Sequence, residues 1–497
     1  MLQRTFGVCV SVAVVVMASA CAIGIEPPPT EQKPAAPAKP TPAPAPGALP
    51  AREAERVTGG KKERRAKLAA AAAEPKLEEV ATSSGRQWTG VAVSKTGRVF
   101  VSYPRWESAY VNAVEEIKGD GARVAFPNAD WNAWKPETGA AAGAHFVCVQ
   151  SVYVDAKDRL WILDPGAPKL GEIVPGAPKL VCVDLGINEV VRIYAMGEAA
   201  PRGSYLNDVR IDAARDAAYI TDSGRGAIVV VDLKTGAARR VLDGAPCVRA
   251  EADVVPEVEG RELKMASTGE PLRVNSDGIA LSRDGQWLYW QALTGRTLWR
   301  APAAALRDAA MTTEQVAAKV ENLGQTVVTD GMEIDERGNL YFTALEYDAV
   351  VCRTPDGHLV RLAGSPLLAW PDSFAWGADG CMYVTTSQIH RTKWFRSGES
   401  GDDGMPREPY RLMKMEWGMP AGQTVVLQVK GMMCELCEGK VTGALKKLDG
   451  VKDVKASHTD GRVVVVLKPG SKTKAAEMCE VVKGLEYEAR EYEPRTK

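Results

Sequence analysis

Six times between residues 85 and 417, an alternating apolar stretch is followed by a polar turn with Gly or Asp and then by a second β-rich stretch. Such pairs around a short turn are typical of β-hairpins. Strand repeats that recur every 42 to 70 residues favour a ring of blades, which leaves only short sheet edges exposed. The pattern predicts a mainly β, six-bladed β-propeller over residues 76–417, in which "KLEEVAT" (76–82) completes the last blade. The repeats begin at Gly90, Val149, Leu206, Ser276, Thr329 and Pro371.

Polar residues stand where the innermost strand begins in four of these repeats. They are expected to converge on the axis of the ring, where several partly desolvated carboxylates would repel each other. A cation would relieve that repulsion, either Ca²⁺ with oxygen ligands or the ammonium of a small ligand, and Trp370 and Tyr205 could stack on an amine. The alternative is that these residues cap neighbouring backbone or turns. The predicted ligand-binding residues are Asn207, Asp208, Asp277, Asp330 and Asp372.

Three long stretches resemble the major royal jelly/yellow protein family, and the similarity spans roughly residues 85–417. They are "YLNDVRID" (205–212), "SDGIALSRDGQWLYWQALTGRTLWR" (276–300) and "LLAWPDSFAWGADGCMYVTTSQIH" (367–390). The resemblance implies a six-bladed propeller in an exported protein that binds a small ligand; some insect members bind amines. Related gluconolactonase-type propellers hold calcium at this mouth with an acidic ligand from the first blade. Here the first two innermost strands begin Gly90-Val91 and Gln150-Ser151, which argues against a calcium lactonase.

Signatures of catalysis are weak. The chain has only four histidines, which are scattered, and it contains no G-x-S-x-G nucleophile elbow. The sequence therefore favours a binding protein over an enzyme. The alternative is a metal-assisted enzyme, lactonase-like or tautomerase-like, whose C-terminal segment buffers or delivers metal. A third reading is a platform for protein interactions.

The chain changes character after Trp417. Residues 423–493 alternate strand and helix patterns in the order β-α-β-β-α-β, which predicts a small α+β ferredoxin-like domain. Between its first strand and first helix lies "KGMMCELCEGK" (430–440), with Cys434 and Cys437 three positions apart. A helix N-terminus favours thiolate, and two thiolates suit a soft ion such as Cu(I) or Hg(II) better than Zn(II), which usually takes four ligands.

The segment from Gly431 to Cys437 resembles the G-M-x-C-x-x-C signature of heavy-metal-associated domains. By that resemblance Cys434 and Cys437 bind a soft heavy-metal ion, Met432 packs under the loop, and Tyr487 lies near the metal. The alternative for the two thiols is a redox pair or a disulfide.

The beginning of the chain predicts export. Residues 1–21 read as a lipoprotein-type signal peptide, with small residues directly before Cys21, the predicted lipidation site; ordinary cleavage near Ala20 or an uncleaved anchor are the alternatives. Residues 22–75 read as a Pro/Ala-rich and charged linker. We therefore expect a periplasmic or cell-envelope lipoprotein. The net charge of −1 argues against a nucleic-acid partner.

Overall fold

The computed structural model describes residues 69–70, 75–106, 110–396, 409–415, 424–459, 461–467, 471 and 473–491. The predicted signal peptide with Cys21, and nearly all of the predicted linker, lie outside these residues. None of the helices in the described ranges is long and apolar enough to span a membrane.

The described residues are mainly β, as predicted, and form antiparallel sheets accompanied by four α-helices. Strands β1 (Ala69–Ala70) and β2 (Leu77–Ser83) come first. The strands that follow are β3 (Val91–Val93), β4 (Val99–Ser102), β5 (Val114–Ile117), β6 (Arg123–Ala125), β7 (Ser151–Val154), β8 (Arg159–Asp164), β9 (Lys179–Asp184), β10 (Glu189–Ala195), β11 (Leu206–Asp212), β12 (Ala217–Asp222), β13 (Ala227–Asp232), β14 (Ala238–Val241), β15 (Glu257–Val258) and β16 (Arg261–Glu262).

The remaining elements continue in chain order. They are β17 (Ser276–Leu281), β18 (Trp287–Ala292), β19 (Thr297–Pro302), α1 (Ala303–Arg307), α2 (Thr313–Ala317), β20 (Glu321–Gln325), β21 (Thr329–Ile334), β22 (Leu340–Ala344), β23 (Ala349–Arg353), β24 (Leu359–Gly364), β25 (Pro371–Trp376), β26 (Met382–Thr386), β27 (Tyr410–Met415), β28 (Thr424–Lys430), α3 (Glu435–Leu445), β29 (Val451–Ser457), β30 (Arg462–Leu467), α4 (Ala475–Lys483) and β31 (Glu488–Glu491). Single 3₁₀ turns lie at Pro136–Thr138, Ala142–Ala144, Pro168–Leu170, Gly197–Ala199, Pro246–Val248, Leu345–Tyr347, Pro366–Leu368 and Ile389–Arg391.

Strands that follow one another in sequence pair into four-stranded meanders: β3–β6, β7–β10, β11–β14, β17–β20 and β21–β24, with β1 added beside β24. A further sheet combines both ends of this region, because β2 pairs antiparallel with β27 from Leu77–Met415 to Ser83–Tyr410. Inner strands such as β12 and β13 are buried almost throughout, whereas the outermost β10 is largely exposed. The β-branched and apolar side chains of β12 and β13 suit strands that are covered on both faces.

The first strands of these sheets touch each other in sequence order. β3 contacts β7, β7 contacts β11, and the series continues through β17, β21 and β25 back to β3. The first and last sheets share a core that includes Trp88, Val101 and Leu412. In addition, Trp88 Nε1 donates to Thr386 O at 3.2 Å, so a strand near residue 90 is held against one near residue 385.

The C-terminal part has the predicted β-α-β-β-α-β order, with strands arranged β29-β30-β28-β31. One face of its sheet is covered by both helices. Val441 and Leu445 of α3 and Met478 and Val482 of α4 pack there on Leu427 and its neighbours. The helical spacing of these apolar residues is what places them on one side of each helix.

Candidate functional site

The thiol loop, residues 431–437, joins β28 to α3. It begins at Gly431, whose backbone has φ +95°, a conformation that glycine adopts without steric cost. Cys434 is the N-cap of α3, and its carbonyl accepts from the backbone N–H of Cys437 at 2.9 Å. This turn brings the two Sγ atoms to 3.6 Å from each other. Cys434 is exposed and Cys437 half-buried.

The pKa of Cys437 is lowered to about 7. The largest cause is a hydrogen bond with the hydroxyl of Tyr487, followed by the backbone N–H of Met433 and the neighbouring Cys434. Because Tyr487 favours the thiolate, its own pKa is raised in turn. From the sequence, we expected the helix N-terminus to lower the thiol pKa. In the structure, Tyr487 makes the largest contribution for Cys437. The thiolate of Cys437 is therefore favoured relative to that of an ordinary cysteine.

This pair of sulfurs fits a soft metal ion. Two thiolates bound to one ion at about 2.3 Å each can be at most about 4.6 Å apart, and the observed separation of 3.6 Å lies within that limit. Met432 is buried beneath the loop, while Met433 is 83% exposed beside it. Within the described ranges no group of three or more His, Cys, Asp or Glu is arranged to hold a metal. The chain thus offers two thiol ligands here rather than the four of a structural zinc site.

The second candidate site is the carboxyl cluster, formed by Asn207, Asp208, Asp277, Asp330 and Asp372. All five residues are buried. The ladder register shifts in each of the four first strands that carry them, between Leu206 and Val209, Ser276 and Ile279, Thr329 and Met332, and Pro371 and Phe374. A bulge of this kind redirects a side chain from the regular alternation, and here it recurs at each acidic residue.

Glycines and threonines hold these bulges in place. A Cβ on Gly278 would lie 2.6 Å from the carbonyl oxygen of Asp330, so that neighbouring first strands approach too closely for a side chain. Thr343 Oγ1 accepts from the backbone N–H of Asp330 at 3.1 Å, and Thr221 Oγ1 does the same for Asp208. These threonines were not predicted from the sequence, although a Thr recurs in the second strand of several repeats.

The structure brings the predicted acidic residues together. Burial is the largest cause that raises the pKa of each of the four aspartates. The next cause for Asp277 is repulsion from Asp208 and Asp372, and for Asp330 it is repulsion from Asp277. For Asp372, the next cause that raises the pKa is repulsion from Asp330. These carboxyls therefore interact across different sheets, and they hold protons at pH values where an exposed aspartate is ionised.

The hydrogen bonds of the cluster test the alternative that its residues only cap neighbouring backbone or turns. Asp277 accepts from Asn207 Nδ2, Asp208 from Ser151 Oγ at 2.8 Å, and Asp330 from Trp370 Nε1 at 2.8 Å. These donors are side chains. Backbone capping is performed instead by other acids, such as Asp222, which accepts from the N–H groups of Tyr205, Gly224 and Arg225. Among the described residues, the buried Asp372 Oδ2 has no hydrogen-bond partner.

Trp370 and Tyr205, predicted to stack on a ligand, are already engaged. Trp370 is buried and stacks on His390, with ring centroids 5.8 Å apart and planes at 7°. The hydroxyl of Tyr205 donates to Gln150 Oε1 at 2.8 Å. His390 Nε2 lies 3.3 Å from Glu259 Oε2, a neighbour that the sequence did not suggest because the two residues are far apart in the chain.

Comparison with known proteins agrees with this architecture. Residues 147–367 match the family model of the major royal jelly proteins, and residues 426–488 match that of the heavy-metal-associated domain. Major royal jelly protein 5 of Apis mellifera is 25% identical over 216 residues, which cover 41% of this chain and 33% of that protein. Protein yellow of Drosophila pseudoobscura pseudoobscura is 26% identical over 165 residues, or 30% of this chain and 29% of that protein. The chain thus spans about a third of the length of these relatives.

Solved structures show weaker likeness. A streptogramin B lyase aligns with 13% identity and a TM-score of 0.40 over 69% of this chain and 97% of that one. A gluconolactonase from Xanthomonas campestris aligns with 13% identity and a TM-score of 0.43 over 70% and 96%. By its family matches, the chain carries a major royal jelly protein domain followed by a heavy-metal-associated domain.

Proposed function

We propose that the protein captures a soft heavy-metal ion, Cu(I) in the first place, with Cys434 and Cys437, and binds a small cationic ligand at the carboxyl cluster. One observation carries the metal proposal: two accessible sulfurs lie 3.6 Å apart, and the pKa of one is about 7. Soft thiolate ligands select Cu(I) over hard cations such as Mg²⁺ or Ca²⁺. The ion is cargo here, because it contacts a surface loop rather than a buried reaction centre.

The metal proposal is tested by stoichiometry. The full chain, purified anaerobically and titrated with Cu(I), is expected to bind one ion per chain at this site. The double variant Cys434→Ser/Cys437→Ser should bind none there, whereas Cys479→Ser, which removes a buried thiol of the same domain, should bind like the parent chain. Unchanged stoichiometry in the double variant would show that the assigned ligands are wrong.

For the larger domain we propose a closed six-bladed propeller over residues 76–417, followed by the metal domain over 423–493. The cyclic contacts of the first strands and the pairing of β2 with β27 support closure. Closing the ring protects strand edges that would otherwise pair with other chains.

The carboxyl cluster is proposed as the cation site of that propeller. Converging carboxyls with raised pKa values, and a buried Asp372 oxygen without a partner among the described residues, support a positively charged ligand. Methylammonium serves as the probe, and its binding is followed by the thermal midpoint of the parent chain, of Asp330→Asn and of the exposed control Asp130→Asn. We expect methylammonium to raise the midpoint of the parent chain and of Asp130→Asn but not that of Asp330→Asn. No rise in the parent chain would refute the site.

We further propose export and attachment to a membrane through a lipid on Cys21. Expressed in a bacterial host with labelled palmitate, the parent chain should carry label and sediment with membranes. Cys21→Ser should lose the label and appear in the soluble fraction. Equal labelling of both chains would refute lipidation at this residue.

A further inference from the structure

A cavity of about 460 Å³ opens at the end of the first strands opposite to the carboxyl cluster. Six strands that contact each other in a cycle, β3, β7, β11, β17, β21 and β25, contribute to its wall, each through its last residues or the turn that follows. Nothing in the sequence analysis pointed to this end. The volume lies in the range of small-molecule sites.

Charged groups gather on one side of this cavity. The carboxylate of Glu333 is buried, and it lies 3.8 Å from Arg210 Nη2 and 4.0 Å from Arg283 Nη2. Both distances are too long for direct hydrogen bonds. Arg210 instead donates to the carbonyls of Val209 and Met332, which fixes its positive charge in place. Two guanidinium groups thus face the carboxylate of Glu333.

Of these two guanidinium groups, that of Arg283 is open to a ligand. Its side chain is 44% exposed and, among the described residues, it makes no hydrogen bond and has no closer ion pair than the one with Glu333. The other charged side chains of the wall have partners of their own. Arg215 Nη1 lies 3.1 Å from Asp212 Oδ2, and Arg159 Nη2 lies 2.6 Å from Asp155 Oδ2. Lys95 Nζ donates to Ala156 O at 2.7 Å, and Asp284 accepts from Ser282 Oγ at 2.6 Å and from the backbone N–H of Gln286 at 3.0 Å.

Tyr153 supplies a second donor beside Arg283. Its ring lies 5.2 Å from the guanidinium carbon of Arg210, and its hydroxyl has no hydrogen-bond partner in the part of the chain that the structure describes. Burial, and then the charge of Glu333, raise the pKa of Tyr153. The hydroxyl therefore stays protonated and can donate a hydrogen bond to a ligand. The rest of the wall is largely apolar and includes Ile211, Phe374 and Trp376.

We propose that this cavity is a second ligand site, which takes a small organic monocarboxylate with an apolar body. The carboxylate accepts hydrogen bonds from Arg283 and Tyr153, and the body packs against the apolar wall. A guanidinium binds a carboxylate through two parallel hydrogen bonds, which is stronger than a neutral pair. Glu333 acts as a positioning residue, because its carboxylate attracts Arg283 to the cavity.

Benzoate is a suitable probe because it combines one carboxylate with an apolar ring. Calorimetric titration of the full chain at low salt should show binding of benzoate, and at least about tenfold weaker binding of benzamide, its neutral analogue. Arg283→Gln should weaken benzoate binding at least about tenfold and leave the weak benzamide binding unchanged. Arg202→Gln makes the same change at an exposed site that does not line the cavity and should bind benzoate like the parent chain.

Two further variants separate a lost contact from a lost fold. Tyr153→Phe should weaken benzoate binding a few fold, and Arg283→Lys should retain part of the affinity because it keeps the charge without the planar fork. Equal affinity for benzoate and benzamide would overturn the proposal, as would benzoate binding that Arg283→Gln leaves intact. Loss of benzoate binding in Asp277→Asn, a variant of the opposite end, would also count against it.

Discussion

At the residue scale, the low pKa of Cys437 depends mainly on the hydroxyl of Tyr487, which stands directly before β31. Tyr487→Phe removes the hydroxyl that favours the thiolate, so the pKa of Cys437 should rise from about 7 towards its ordinary value of 9.0. The rate of alkylation by iodoacetamide follows the thiolate fraction. Its half-maximal pH, measured for the Cys437 peptide by mass spectrometry, should therefore move upwards.

The control for this prediction is Tyr153→Phe, which makes the same change in the other domain. It should leave the half-maximal pH of Cys437 near 7. Cys479, buried in the native domain, should stay unmodified throughout. An unchanged profile in Tyr487→Phe would mean that backbone N–H groups, rather than the tyrosine, set the pKa.

A second prediction at this scale concerns Asp277, whose pKa is raised well above 3.8 by burial and by Asp208 and Asp372. Below pH 3.8 the carboxyl is protonated in both the folded and the unfolded chain. As the pH rises, the unfolded chain ionises first, so the free energy of unfolding falls until the pH passes the folded-state pKa. Asp277→Asn removes this loss and should stabilise the ligand-free chain at pH 7, by about 1.4 kcal/mol for each unit by which the pKa is raised.

Urea unfolding at pH 7 and at pH 3.5 measures this effect. The gain from Asp277→Asn should be present at pH 7 and nearly absent at pH 3.5, and Asp130→Asn, a change at an exposed acid, should give no gain at either pH. A variant that is less stable than the parent chain at pH 7 would show that Asp277 is ionised and paired in the folded protein.

The residues that sequence could predict are those whose role depends on local spacing. Cys434 and Cys437 share one turn, and the aspartates recur at one register of a repeat, so both sets were identifiable. The residues that these side chains contact in the fold were harder to predict. The contacts of Glu333 with Arg210 and of Glu259 with His390 join residues more than a hundred positions apart, and no local pattern predicts which charge meets which. The role of Tyr487 as donor to Cys437 likewise depends on where β31 returns.

At the element scale, the hairpins followed from period-2 patterns; the repeat that begins at Ser276, for example, forms the antiparallel pair of β17 and β18. Two short helices, α1 and α2, were not predicted, because they lie in one connection whose apolar residues complete a core made by neighbouring sheets. The predicted linker, residues 22–75, contains a two-residue strand, β1, that pairs in parallel with β24. Such additions depend on a sheet edge elsewhere in the chain.

Strand β2 gives a prediction at this scale. Because β2 pairs with β27 over six residue pairs, a chain that begins at Gly85 lacks one strand of the last sheet, whereas a chain that begins at Pro75 keeps it. Loss of several kcal/mol should lower the thermal midpoint of the propeller by at least about 5 °C. The bared edge of β27 should promote self-association, seen as a larger species in light scattering.

A peptide of residues 75–84, added in trans, should partly restore the midpoint of the shortened chain, because an extended peptide can add a strand to an open edge. A scrambled peptide of the same composition is the control. Equal midpoints for the two chains would argue that the ring does not depend on β2, and the proposed mode of closure would have to be abandoned.

At the scale of the whole molecule, the two parts of the described chain have separate cores. The core of the C-terminal domain contains only residues between Val425 and Ala489, and none of the cores of the sheets includes a residue from that range. Between the two parts, Arg462 Nη1 of the small domain lies 2.7 Å from Asp356 Oδ2 and 2.6 Å from His358 Nε2. An ion pair near the surface contributes only about 1 kcal/mol or less, which is too little to couple two domains into one cooperative unit.

Calorimetry of the full chain under anaerobic conditions should therefore show two transitions, and metal should act on one. At a hundred times its dissociation constant, a ligand stabilises the domain that binds it by about 2.7 kcal/mol, which corresponds to roughly 10–20 °C in a domain of this size. Cu(I) should raise the midpoint of the C-terminal domain by that amount and leave the midpoint of the larger domain unchanged. In Cys434→Ser/Cys437→Ser, Cu(I) should shift neither midpoint. If Cu(I) moved both transitions together, the domains would be energetically coupled, and metal capture would then report to the propeller through the contacts around Arg462.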